Sequence, residues 1–293
     1  MVDSNILEWD KIKKVHLIGI GGSSMSGLAQ ILLNLGYTVS GSDLNDTEIV
    51  RSLQDMGIRI NLFHSEINIR DCDLVVYTAA VRQDNPELIA ARRMNIPVIE
   101  RSVLLGELTK QFSCSIAVSG THGKTTTTSM ISMIMIEAKT DPSIHIGVIL
   151  KEIGGSTRVG KSKYFITEAC EYVESFLQLK PFLAVVLNIE EDHLDYYRDI
   201  NHIKSSFSKF CRLVPDNGYV IACADNSNVM DVVKDLSCNV VTYGLNSPDA
   251  AWKAQNITFD ANGNATYMLT FKGKNMGRIK LQVPGMHNVS NSL

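Results

Sequence analysis

Twice in this chain an apolar, β-branched run gives way to a glycine-rich turn and then to a helical pattern. The first instance is the run 14–20 (KVHLIGI), with the turn Gly19-Ile20-Gly21-Gly22-Ser23-Ser24-Met25-Ser26-Gly27. The second is the run 115–118, with the turn Gly120-Thr121-His122-Gly123-Lys124-Thr125-Thr126. A junction of this kind is restrictive. The strand must end, the backbone must reverse within a few residues, and the new helix opens with N–H groups that have no partner in the helix. Glycine permits the turn and lets a ligand come close to the backbone, and the free N–H groups favour an anion.

Around these junctions strands and helices alternate. Apolar residues at helical spacing occupy 24–35, where Met25, Leu28, Ile31, Leu32 and Leu35 share a face and Gly36 ends the run. Further strands are predicted at 37–42, 58–62, 73–78 and 96–100, and helices at 47–56 and 86–94. A second start follows residues 110–113, with a helix at 125–138 and strands at 164–168, 183–188, 219–222 and 240–243. Strand and helix in turn, with short loops, predict right-handed βαβ units and parallel sheets. Beyond Trp252 the segments 257–259, 267–271 and 279–283 alternate apolar and polar residues. The turn residues Asp260-Ala261-Asn262-Gly263-Asn264 and Lys272-Gly273-Lys274-Asn275 separate them, which predicts an antiparallel meander. The predicted fold is α/β: a Rossmann-like parallel-sheet domain over 1–111, then a P-loop-type α/β domain with a β meander over 112–293. At about 150 residues per domain, the length of 293 agrees with two.

Composition removes several function classes. The net charge of −3 argues against a basic nucleic-acid protein. A 45% apolar, 20% charged chain is not disordered. Its longest apolar stretches are too short to span a bilayer, and Met1-Val2-Asp3-Ser4 does not open a secretory leader. Cys72, Cys114, Cys170, Cys211, Cys223 and Cys238 form no C-x-x-C pair; they read as small buried residues, reduced in a cytoplasm.

In the first loop, Gly21, Gly22, Ser23, Ser24, Met25 and Ser26 form the strand-to-helix corner. Asp43, about 20 residues on at the end of the next strand, is placed to accept a hydrogen bond from a ribose hydroxyl. The third-glycine position of the dinucleotide fingerprint holds Ser24. By itself the loop suits NAD or another diphosphate such as a UDP-sugar. The second loop departs from the usual phosphate-loop pattern at Val118, but its setting is right: backbone N–H groups for phosphates, Lys124 for the β and γ oxygens, Thr125 for Mg²⁺. Acidic clusters follow two later strands, Glu168-Ala169-Cys170-Glu171 and Asn188-Ile189-Glu190-Glu191-Asp192-His193-Leu194-Asp195. Ligands in open α/β sheets lie beyond the carboxyl ends of strands. Glu171 and His193 therefore read as functional, with His122 inside the loop, while Glu190 and Glu191 read as a solvated face. His16, His145 and His202 read as packing or surface residues. His64, in a loop after a strand, reads as a substrate contact.

These motifs, in this order and spacing, resemble the Mur ligase family. Ser40-Gly41-Ser42-Asp43, Asp84-Asn85-Pro86-Glu87 and Pro284-Gly285-Met286-His287-Asn288 complete the set. The resemblance covers essentially the whole chain. It implies a UDP-sugar domain and an ATP domain, and an ATP-dependent ligation of L-alanine to UDP-N-acetylmuramate through an acyl phosphate, in peptidoglycan precursor synthesis. It implies that Gly21 to Ser26 hold the UDP diphosphate, and that Ser42, Asp43 and the Thr78-Ala79-Ala80 turn line the same pocket. Gly120, Thr121, His122, Gly123, Lys124, Thr125 and Thr126 would hold ATP, with His287, Asn288 and Asn291 at adenine or ribose. Thr125 and Glu171 would hold one Mg²⁺ and His193 a second metal, with Lys124, Glu171, His193 and His122 the catalytic set. Where many members carry Asp-Glu-Ser, this chain has Cys170-Glu171-Tyr172. The family's third domain has no counterpart in the five residues after Asn288, so the chain is expected to be a truncated form that binds its ligands without turnover. A peptide-joining ligase of wall recycling and a non-catalytic nucleotide sensor are the alternatives.

Overall fold

The computed structural model describes residues 8–293. The segment 1–4, on which the reading of the leader rests, lies outside them. In chain order the first elements are β1 (Lys14–Ile18), α1 (Ser23–Asn34), β2 (Thr38–Ser42), α2 (Glu48–Asp55), β3 (Arg59–Asn61), β4 (Leu74–Tyr77), α3 (Pro86–Arg93), β5 (Val98–Glu100) and α4 (Arg101–Lys110). Next come β6 (Cys114–Ser119), α5 (Lys124–Glu137), β7 (Ser143–Leu150), β8 (Gly155–Arg158), β9 (Tyr164–Glu168) and β10 (Leu183–Val186). The remainder is α6 (Ile200–Cys211), β11 (Tyr219–Cys223), α7 (Ser227–Val233), β12 (Asn239–Gly244), β13 (Trp252–Phe259), β14 (Asn264–Phe271), β15 (Lys274–Pro284) and α8 (Met286–Asn291).

The chain divides into two compact units. One comprises the residues up to Leu108 together with Ser143–Lys161. Its sheet has the order β3-β2-β1-β4-β5, with every pair parallel. The strand order reverses at β1, so the corner after β1 opens at the switch point, where parallel sheets leave a crevice. Val15 and Leu17 of β1 are buried, as are Met25, Leu28, Ile31 and Leu32 of α1, whose apolar face holds the helix to the sheet, while Ile18, pointing to the opposite face, packs with Leu88, Ala90 and Ala91 of α3. Caps fix the helix ends. The Thr47 hydroxyl accepts from Val50 N–H at 3.3 Å at the start of α2, and Asn85 accepts from Glu87 N–H at 2.9 Å at the start of α3, where Pro86 occupies the first turn.

The second unit comprises Thr109–Pro142 and Ser162–Leu293. Its sheet runs β15-β14-β13-β12-β11-β10-β6-β9. From β13 to β9 all neighbours are parallel, and β13, β14 and β15 form the antiparallel meander. The Asp260 carboxylate closes the first meander turn by accepting from Asn262 N–H at 2.9 Å and Asn264 N–H at 3.0 Å, with Gly263 at φ +79°. The α/β class, the parallel sheets and the meander agree with the sequence reading.

Four features were not foreseen: the helices α4, α6 and α7 and the hairpin β7–β8. α4 follows β5 without a loop, so no turn residues announce it. The hairpin β7–β8 belongs to the first unit although it lies in the sequence after α5. Its side chains reach α1 at Gly27. A Cβ there would lie 2.0 Å from Thr157 Oγ1 and 2.9 Å from His145 Nδ1. Gly27→Ala is therefore expected to destabilise the first unit by about 1–3 kcal/mol through overpacking. Thr157→Ala in the same chain should restore part of the loss, as read by urea unfolding.

Candidate functional site

In the first unit the corner after β1 is built by the backbone. Gly19 N–H and Ile20 N–H both donate to Ser42 O, at 2.8 and 3.1 Å, so β2 holds the turn shut. Gly21 N–H donates to Asp43 Oδ2 at 2.9 Å, and Asn45 N–H donates to Asp43 Oδ1 at 3.1 Å. Only glycine fits at position 21, because a Cβ would lie 2.9 Å from Asp43 Oδ2 and 2.8 Å from Val50 Cγ2. Gly22 caps α1, and Ser23, Ser24, Met25 and Ser26 form its first turn. Met25 is buried in the core, and the Ser26 hydroxyl donates to Ser23 O at 2.9 Å, so this turn offers a ligand its backbone and the side chains of Ser23 and Ser24. The Arg101 guanidinium donates to Ser24 Oγ at 3.0 Å. Thr78, Ala79 and Ala80 form a turn after β4, with Ala80 N–H donating to Thr78 Oγ1 at 3.1 Å.

Ser42 and His64 stand differently from the other residues read for this pocket. Ser42 is fully buried, and its hydroxyl donates to Glu87 Oε2 at 2.6 Å. His64 Nδ1 lies 3.1 Å from the same oxygen. Asn68 Nδ2 donates to Glu87 Oε1 at 2.6 Å, and His16 Nε2 stands 3.6 Å from it. Burial alone would raise the Glu87 carboxyl, but the imidazole of His16 and the Ser42 and Asn68 hydrogen bonds hold it at about 2. Glu87 is thus a buried carboxylate beneath the end of β2, fixing the strand from which Asp43 projects.

In the second unit three strand ends meet. β6 lies between β9 and β10, so the turns after all three open side by side. The turn after β6 carries the phosphate loop. Gly120 and Gly123 have φ +142° and +86°, conformations that side chains avoid. The Asn188 side chain, at the end of β10, clasps the loop: it accepts from His122 N–H at 2.8 Å and donates to His122 O at 3.0 Å. Thr121 N–H donates to Asn188 O at 3.1 Å, and Glu190 N–H donates to Thr121 Oγ1 at 2.9 Å. Lys124 opens α5, followed by Thr125 and Thr126. Its ammonium donates to Gly120 O at 2.6 Å and to Glu171 Oε1 at 2.9 Å.

Glu171, just past β9, is 2% exposed, and its Oε2 is buried with no hydrogen-bond partner. His193 Nε2 lies 3.9 Å from Glu171 Oε1. One ligand atom from each of Glu171, Asp192 and His193 falls within 4.8 Å of the others. His193 takes φ +50°, with its N–H donating to Asp192 Oδ1 at 2.7 Å, and the Tyr172 ring sits 4.7 Å from its imidazole. An orphaned carboxylate oxygen beside a second carboxylate suits a hard divalent cation such as Mg²⁺. His122 is exposed, with Nε2 3.8 Å from Glu190 Oε2. α8 closes on the same loop. Asn291 Oδ1 would lie 2.9 Å from a Cβ at Gly123, and Asn288, buried, donates to Pro284 O at 2.8 Å, while His287 is exposed.

The structure thus brings Lys124, Glu171 and His193 together and sets Asn291 against the loop. Asn188, Asp192, Tyr172, Glu87 and Arg101 were not singled out from sequence. Asn188 and Asp192 lie in a motif that was read, and their position just past a buried strand is the signal that marks them.

Fold, phosphate loop and acidic strand ends define a class, and the family comparisons name it. The model of the Mur ligase middle domain matches residues 118–293, and that of the Mur ligase family catalytic domain matches residues 14–113. The chain belongs to the Mur ligase family. Among curated relatives, the UDP-N-acetylmuramate–L-alanine ligase of Acetivibrio thermocellus is 59% identical over 293 residues, which is 100% of this chain and 62% of that protein. The ligase of the same name from Clostridium tetani is 53% identical over 282 residues, 96% of this chain and 61% of that protein. The chain therefore spans about 62% of the length of such relatives. Among solved structures, the UDP-N-acetylmuramate–alanine ligase of Thermotoga maritima matches with TM-score 0.79 and 31% identity, over 95% of this chain and 62% of that one. The UDP-N-acetylmuramate:L-alanyl-γ-D-glutamyl-meso-diaminopimelate ligase of Neisseria meningitides matches with TM-score 0.83 and 27% identity, over 96% of this chain and 90% of that one.

The Glu87 cluster sets a pH dependence. Its carboxyl titrates at about 2 in the fold against 4.5 as an ordinary glutamate, so its contribution is complete above 4.5 and is lost as pH falls toward 2. Glu87→Gln should flatten the acid limb of unfolding free energy over that window, by on the order of 3 kcal/mol. An unchanged slope between pH 4.5 and 2 in urea titrations would show that Glu87 does not set it.

Proposed function

We propose that this chain carries the UDP-sugar-binding and ATP-binding parts of an ATP-dependent, cytoplasmic ligase that joins L-alanine to UDP-N-acetylmuramate, with the functional division near residue 111. The observation that carries the reading is the meeting of Lys124, Glu171 and His193 at three neighbouring strand ends. The 59% identity to an L-alanine ligase supports the acceptor.

In this reading the corner at Gly21–Ser26 takes the UDP diphosphate on the free N–H groups of α1, and Asp43 takes the ribose. The start of α5 takes the ATP phosphates. The lactyl carboxylate attacks the γ-phosphorus, ADP leaves, and the amine of alanine then displaces phosphate from the acyl phosphate. Two anions meet in the first step, so positioning and charge neutralisation carry the catalysis. Lys124 supplies one cationic contact once it leaves Glu171 for the β and γ oxygens. Glu171 and His193, with Asp192 and the Thr125 hydroxyl, would hold Mg²⁺, which when bound withdraws charge from those oxygens. Tyr172 packs on His193 and holds Asp195 Oδ2 at 2.9 Å, keeping the imidazole turned toward Glu171. One observation favours a murein peptide as the acceptor instead: the TM-score of 0.83 to the Neisseria peptide ligase.

Calorimetry on the chain should show both ligands binding, and Lys124→Ala should abolish ATP binding while the affinity for UDP-N-acetylmuramate stays within about twofold. Equal loss of both would overturn the assignment of two separate sites. In the wild type, Mg²⁺ should strengthen ATP binding by displacing Lys124 from Glu171. In Glu171→Gln, ATP should still bind in EDTA, and added Mg²⁺ should change its affinity little. An undiminished Mg²⁺ effect would remove Glu171 from the metal site.

A further inference from the structure

By sequence His145 is a packing or surface residue, and the structure places it at the corner after β1. It projects from β7, pairs across the hairpin with Thr157, and is 4% exposed. Its Nε2 lies 2.9 Å from Ser24 Oγ and its Nδ1 lies 3.2 Å from Thr157 Oγ1. Arg101 Nη1 donates to the same Ser24 oxygen at 3.0 Å. Gly27, one turn beyond Ser24, leaves the room for this approach.

Burial, and then the Arg101 charge, hold the His145 pKa at about 4, so the ring is neutral near pH 7 and carries one proton. Two arrangements are open. If Ser24 donates to Nε2, then Nδ1–H donates to Thr157, and the Thr157 proton is left in a site 92% shielded from water with no acceptor at the ring. If Thr157 donates to Nδ1, then Nε2–H donates to Ser24. Both lone pairs of the Ser24 oxygen are then filled, by His145 and Arg101, and its proton is left free on the half-buried side. An unsatisfied donor costs more when buried than when water reaches it, so the second arrangement wins.

We propose that His145 is a positioning residue for the diphosphate of a uridine nucleotide: by donating from Nε2 to Ser24 it turns the Ser24 proton out of the cluster, as a donor at the opening of α1. The inference rests on the UDP-sugar reading of the first loop. It explains why serine stands where the dinucleotide fingerprint has glycine: the corner gains a directed hydroxyl backed by a guanidinium, and a charge-assisted bond to phosphate.

The test uses the full chain with ¹⁵N-labelled histidine. Two-bond ¹H–¹⁵N spectra near pH 7, with the His145 signal assigned by its loss in His145→Gln, should show Nε2 protonated and Nδ1 bare; the opposite tautomer overturns the proposal. Binding of uridine and of UDP is then measured by calorimetry. Ser24→Ala and His145→Phe should each weaken UDP about tenfold and leave uridine within about twofold. His145→Gln, which keeps a donor near the Nε2 position, should recover most of the loss. The double variant Ser24→Ala/His145→Phe should be no weaker than Ser24→Ala, because both act through one hydroxyl. Equal weakening of uridine and UDP in a folded variant would make His145 a packing residue only. Should the wild type bind neither ligand, the reading of the first loop itself falls; should it bind UDP and the variants lose nothing, the inference alone falls.

Discussion

The unpaired N–H groups at the starts of α1 and α5 set the terms for what surrounds them. A helix that begins straight after a buried strand has donors that no carbonyl of its own can reach. At α1 the Asp43 carboxylate takes the Gly21 N–H from the neighbouring strand end. At α5 the Asn188 side chain and carbonyl take those of His122 and Thr121. Each corner is thereby tied to the strand beside it before a ligand arrives, and each leaves the next few amides open. Such preorganisation cuts the ordering cost of binding an anion.

Two buried carboxylates show how differently one side chain can be used. Glu87 has hydrogen bonds at both oxygens, and two imidazoles stand near it. It is fully satisfied and its consequence is rigidity. Glu171 is just as buried, yet one oxygen holds Lys124 and the other holds nothing. An incomplete set of partners around a buried charge is costly unless something else completes it. The backbone nearby is strained at Val173, Glu174 and His193, all at φ near +50°. The first carboxylate is closed by its own neighbours, and the second, clustered with Asp192 and His193, keeps one oxygen open.

The parallel strands were legible because their residues are buried on both faces, so β10 reads as an unbroken apolar run and β1 and β6 as mostly apolar ones, with His16 and Ser115 among the buried polar exceptions. The meander was legible because one face meets water and the turns carry Asp260, Asn262 and Gly263. α4 was hidden because Arg101 follows Glu100 directly, with no capping residue between strand and helix. β7 was hidden because its alternation, Ser143-Ile144-His145-Ile146-Gly147-Val148, is short and gives way to the apolar Ile149 and Leu150, and its register with β8 slips between His145 and Leu150. Lys124, Glu171 and His193 were visible from their place after strands. Arg101 and His145 were not, since their meaning lies in one hydroxyl that neither is near in the chain.

The hairpin carries a consequence for how this protein is made. The first unit is interrupted: its last strands are encoded after thirty-odd residues that belong to its neighbour. On the ribosome, β1 to β5 emerge while α1 still lacks the partners that face Gly27 and Ser24. The phosphate loop and α5 must then be synthesised before those partners exist. Domains commonly fold as units in order of synthesis. Here the amino-terminal sheet can collapse early, but its ligand corner stays unfinished until residue 161 has left the exit tunnel, when the first stretch of its neighbour is already made and residues 162–293 are still to come.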